Sequence, residues 1–123
     1  MSRPIVVMTP GEAELEEAPL DPATVQSGTP VTSEREIASV PLTGGGTLAT
    51  GIWRCTEGTV TDVEADETFV VLSGRATIEH EGRSHDVRPG DVCVLPAGAE
   101  TRWIVHEAIT KVCVVLDAQA AAG

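Results

Sequence analysis

The stretch from Glu67 to Trp103, ETFVVLSGRATIEHEGRSHDVRPGDVCVLPAGAETRW, leaves this chain little choice of fold. Its apolar runs Phe69-Val70-Val71-Leu72, Ala76-Thr77-Ile78 and Val92-Cys93-Val94-Leu95 are cut by Ser73-Gly74, Glu81-Gly82, Pro89-Gly90-Asp91 and Pro96-Ala97-Gly98. Short β-branched runs bounded by Gly, Pro and Asp are strands joined by tight turns. The same punctuation continues on both sides and predicts strands over 36–40, 47–55, 59–63, 67–72, 75–80, 83–87, 92–95, 101–106 and 111–116. Many short strands at this spacing mean a sandwich or a barrel.

Ahead of the strands the chain changes character. Ile5-Val6-Val7-Met8 reads as an N-terminal strand for a sheet edge. Thr9-Pro10-Gly11-Glu12 reads as a helix start, with Thr9 as N-cap, and the helix ends before Pro19. Residues 18–35, rich in Pro, Thr, Ser and Gly, read as an extended arm. The expected organisation is residues 1–35 as strand, helix and arm, 36–116 as one barrel, and 117–123 as a frayed Ala-rich tail.

Charge excludes several partners. The 123 residues carry 19 acidic and 8 basic side chains, a net charge of −11, which argues against nucleic acid and against anionic membrane surfaces. No apolar run approaches the ~18 residues that cross a bilayer. The three cysteines, Cys55, Cys93 and Cys113, fall inside expected strands. An odd number without a signal peptide predicts reduced, buried thiols and a cytoplasmic protein. The aromatic residues are only Trp53, Phe69 and Trp103, so each indole takes a large share of an otherwise aliphatic interior.

Two motifs then carry a resemblance. Glu67, six residues and Gly74 resemble the second half of the first cupin motif. Gly90-Asp91-Val92-Cys93-Val94-Leu95-Pro96-Ala97-Gly98 resembles the start of the second. Gly51-Ile52-Trp53, Glu57-Gly58, Asp66-Glu67-Thr68-Phe69, Thr101-Arg102-Trp103 and Lys111-Val112 are similar to the ureidoglycine aminohydrolase-type cupins. The resemblance spans about residues 36–116 and implies an all-β, single-domain jelly-roll barrel with an N-terminal arm. It also implies a homodimer formed by strand exchange through Ile5–Met8 and the arm.

The metal pattern of that superfamily is missing. A metal cupin supplies His-x-His shortly before the Glu and a further His in the second motif. Here those positions hold Val60 and Asp62, or Thr61 and Val63, and then Thr101. Glu67 remains, with Asp62 as one more oxygen donor, enough at most for a weakly held hard cation. The expectation is therefore no resident metal and no cofactor. His80 and His85 flank the Glu81-Gly82 hairpin and His106 ends a strand, so all three read as rim residues.

Alternation of side chains gives the expected interior. With Glu67 inward, as the resemblance implies, Phe69 and Val71 follow. Thr101, Trp103 and Val105 form a second row, Trp53 and Cys55 a third, and Lys111, Cys113 and Val115 a fourth. A carboxylate in an apolar barrel must be paired, hydrogen-bonded or protonated, which is also what a general acid/base requires. The sequence thus predicts a small-molecule site. Glu67 is its acid/base, Lys111 or Thr101 orients the ligand, and Trp53, Asp62, Phe69 and Trp103 complete the walls. The functions in reach are a metal-independent enzyme on a small polar metabolite (lyase, isomerase or hydrolase-like), a non-catalytic binding or sensing module, and a metal-dependent aminohydrolase-like cupin. A barrel completely filled by its own side chains would leave a structural role only.

Overall fold

A computed structural model describes residues 2–118. Nine strands follow in order: β1 (Glu16–Glu17), β2 (Val25–Ser27), β3 (Thr32–Pro41), β4 (Thr47–Cys55), β5 (Gly58–Val63), β6 (Asp66–His80), β7 (Arg83–Val87), β8 (Val92–Leu95) and β9 (Glu100–Asp117). Among the described residues these strands pair antiparallel, and the sheet runs β1-β3-β4-β9-β5-β2, with β6 pairing to β7, β8 and β9. The sheet curls into a half-barrel of jelly-roll form.

Two long strands organise it. β6 and β9 run side by side from Asp66↔Leu116 to Glu79↔Arg102. β9 then gives its first half to β5 and its second to β4. β6 likewise gives its first half to β8 and its second to β7. The sequence predicts two strands in each place, split at Ser73-Gly74 and near residues 107–110. The structure shows continuous strands with register shifts between Val71 and Ala76. The glycine is a bend inside a strand, not a turn, and such bulges let a sheet close on itself.

Gly74 makes that bend possible. Its φ is +84°, and a Cβ there would stand 2.0 Å from the Ala108 carbonyl oxygen. The core includes Cys55, Val60, Phe69, Val71, Trp103 and Ile109.

The N-terminal segment departs from expectation. Ile5–Met8 forms no strand, and Ile5 and Val7 are 93% and 88% exposed. An apolar run makes a strand only where a sheet edge offers partners. The expected helix is a single 3-10 turn, Pro10–Glu12, and the Thr9 side chain makes no cap hydrogen bond. Three residues cannot repay helix nucleation.

The arm is tied at both ends. β1 pairs with β3, and β2 with β5. Between them Ala18 N–H donates to Thr32 O at 2.8 Å, and the Thr32 hydroxyl donates back to Ala18 O. Thr61 Oγ1 donates to Thr24 O at 3.3 Å, and Arg102 Nε donates to Gln26 Oε1 at 2.7 Å. Asp21 caps a second 3-10 turn by accepting from Ala23 N–H. At the other end Asp117 pairs with Thr47 within β9, so the part of the expected frayed tail at 117 is strand. Residues 119–123 lie outside the described residues.

Candidate functional site

Strands β3, β4, β5 and β9, with Glu67 of β6 and the strapped arm, line a partly open chamber of about 550 Å³. Its floor is an ion pair. Lys111 on β9 reaches Glu67 on β6, with Nζ 2.5 Å from Oε2, and the two side chains are 7% and 10% exposed. The pairing follows from register: β9 and β6 align Val71 with Lys111 and Glu67 with Val115, so both charges point to the inner face. Lys111 Nζ also lies 4.6 Å from the Trp53 ring centroid, 4.4 Å from Phe69 and 4.9 Å from Trp103. The two indoles meet edge to face with centroids 5.6 Å apart, and Phe69 stands 5.5 Å from Trp103. Charge-assisted hydrogen bonding and ring quadrupoles thus stabilise the same ammonium.

A second carboxylate sits beside this cage. Glu64 is 7% exposed. Its Oε2 accepts from the Thr101 hydroxyl at 2.7 Å and from the Trp103 indole N–H at 3.0 Å. Two backbone hydrogen bonds fix its position, Glu64 N–H to Ala99 O at 2.9 Å and Gly98 N–H to Glu64 O at 2.8 Å. The sequence reading leaves Glu64 in an acidic corner. Yet Val60, Asp62 and Glu64 share parity, and that alternation is the signal that places its side chain inward.

Asp62 meets Glu64 at the chamber wall. Partial desolvation and the Glu64 carboxylate push the Asp62 carboxyl up to about 6, against a hydrogen bond from Val63 N–H that favours the charged form. Asp62 is exposed as a residue, so water screens part of this effect. The folded chain binds this proton more tightly than the unfolded chain does. Its stabilising contribution is therefore complete below about pH 4 and is lost as pH rises through about 6. Asp62→Asn removes that slope, so the dependence of urea midpoint on pH between about 4 and 6 becomes flatter than in the parent.

The other expected site residues divide clearly. Trp53, Glu67, Trp103, Lys111 and Asp62 line the chamber. Phe69 lies behind them, 1% exposed, and touches the site through its ring. Thr101 is buried, its hydroxyl donates to Glu64, and it is not among the residues that line the chamber. His106 Nε2 is 2.8 Å from Thr77 Oγ1, and His80 is 3.7 Å from Glu81, both away from the chamber. Burial pushes the Cys55 thiol up to about 11 and raises Cys93 and Cys113 as well, which favours the protonated thiol over the thiolate.

The donor set does not fit a resident transition metal. Among the described residues no three His, Cys, Asp or Glu side chains converge on a point. Glu67 already bonds an ammonium, and Thr101 bonds Glu64. Among the described residues no helix is long and apolar enough to cross a membrane.

A curled antiparallel sheet with a chamber on its inner face, and the Glu67-to-Gly74 and Gly90-to-Gly98 motifs on its strands and turns, has the form of a cupin. The EutQ-like cupin domain model matches residues 42–112, more than half of the chain, and the chain belongs to that family. No curated protein matches the sequence. Among solved structures, the Clostridium difficile EutQ protein is similar at 18% identity over 73% of this chain and 71% of its own, with a TM-score of 0.61. A DUF861-family protein of unknown function from Pseudomonas syringae pv. tomato reaches a TM-score of 0.73 at 24% identity, over 85% of this chain and 45% of its own. A Thermotoga maritima protein described as a predicted oxalate decarboxylase gives 0.63 at 11% identity, over 90% and 98%. At these identities the likeness is one of fold.

Proposed function

We propose that the chamber binds a small polar metabolite and acts on it as a metal-independent acid/base enzyme. One observation carries this reading. A buried ion pair, Lys111–Glu67, and a carboxylate pair, Asp62–Glu64, line a single chamber of about 550 Å³ walled by two indoles. That volume lies in the range of small-molecule sites, which combine apolar walls with a few placed polar groups. Asp62, its carboxyl pushed up to about 6, holds a transferable proton in mildly acidic solution, and Glu67 is the complementary base, poised against the Lys111 ammonium. Lys111 has N–H groups beyond the one given to Glu67 and orients a ligand oxygen with them. Proton transfer, elimination or isomerisation is within reach of such a set.

One feature favours a second reading, a non-catalytic binding module: Glu67 is already neutralised by Lys111. Kinship with the ureidoglycine aminohydrolase-type cupins belongs to the proposal as kinship of scaffold, since the donor set does not support their metal chemistry. The test is a thermal-shift and tryptophan-fluorescence screen of small amino, carbonyl and hydroxy-acid metabolites, followed by Glu67→Gln with any hit. An enzyme loses turnover by about a hundredfold or more while keeping affinity. A binding module shows no turnover and changes only in affinity, and a panel without a single hit contradicts both. A homodimer that covers the exposed Ile5–Val7 segment is part of the same proposal, and a monomer in sedimentation velocity removes it.

A further inference from the structure

Lys111 is the sole lysine of the sequence, and it is 5% exposed in the middle of the barrel. Lysine is among the residues least often buried, and ordering its long side chain costs rotamer freedom. A methionine would fill a similar volume without burying a charge, so volume does not account for it. The surroundings account for the charge instead. Three ring centroids lie 4.4–4.9 Å from Nζ, and a carboxylate oxygen lies at 2.5 Å. Rings around a cation, with one carboxylate to pair it, form the arrangement by which proteins recognise ammonium ligands. Glu67 is also the one metal-ligand residue of the cupin pattern that this sequence keeps, and its partner is this ammonium.

We propose that Trp53, Phe69, Trp103 and Glu67 form a built ammonium-binding site, occupied by the chain's own Lys111 in place of a metal ion. A small primary alkylammonium ion enters that site once the lysine side chain is cut back. The inference stands whether or not the chamber turns over a substrate, because its test uses no natural ligand.

Lys111→Ala removes Cγ, Cδ, Cε and Nζ, and n-propylammonium carries the same three carbons and one nitrogen. At about ten times its dissociation constant, n-propylammonium should raise the Tm of Lys111→Ala by about 5 °C. Wild type should stay unmoved, as should the variant in n-propanol or sodium chloride at equal concentration. Adding Glu67→Gln to the variant should weaken binding about fivefold and cut the rise to about half. Should Lys111→Ala not fold in plain buffer, refolding from urea should recover native circular dichroism only with the amine present. A variant that n-propylammonium neither stabilises nor refolds overturns the proposal, and so does an equal rise in wild type.

Discussion

Lys111→Met lowers stability by about 3 kcal/mol, and Glu67→Gln by only about 1. The asymmetry follows from the two surroundings. Without the ammonium, Glu67 is left as an uncompensated carboxylate against apolar walls, the costly half of a broken buried pair. Without the carboxylate, the ammonium still has three rings, and the new amide oxygen still accepts its N–H. The double variant Lys111→Met/Glu67→Gln recovers about 2 kcal/mol relative to Lys111→Met, because no charge is left stranded. Urea unfolding of the four proteins gives all three differences. Equal costs for the two single variants, or no recovery in the double, would mean that the pair is not the buried, ring-supported contact described here.

Gly74→Ala has the second large effect, a loss of about 4 kcal/mol or more. The new Cβ would meet the Ala108 oxygen at 2.0 Å, and the Ala108 carbonyl carbon and Ile109 Cα at 2.6 Å. These are backbone atoms of the neighbouring strand, so no side chain can swing aside. Gly82→Ala separates this crowding from conformational preference. Gly82 has a similar φ of +76°, but nothing lies within 4 Å of its added Cβ, so the substitution costs only about 1 kcal/mol. The comparison is made by chemical denaturation of both variants, and similar losses would refute the role given to the bend in β6.

The motifs that make the barrel were legible because they are local. Gly, Pro and Asp at fixed places mark turns, and alternation between them assigns faces, which is how Glu67, Phe69, Trp103 and Lys111 could be placed inward from sequence. What lay outside local pattern was harder to see. Ser73-Gly74 has the composition of a turn, and only the approach of Ala108 across the sheet shows it to be a bulge. Ile5–Met8 has strand composition, but pairing depends on an edge that the sequence does not describe. Glu64 lay in a run of acids, where solvated charge is the usual outcome. Its burial depends on Thr101 and Trp103, 37 and 39 residues away. Thr101 stands where a histidine would, and the sequence does not show that its hydroxyl is given to that same glutamate.

The chain's only lysine offers a direct test of the caged ammonium around which this site is built. A ¹H–¹³C correlation spectrum of protein grown with labelled lysine contains one Cε methylene. With three rings within 4.9 Å of Nζ, that methylene should resonate well upfield of free lysine, and Glu67→Gln should shift it further or broaden it. A sharp signal at the free-lysine position, indifferent to Glu67→Gln, would contradict the cage and the site derived from it.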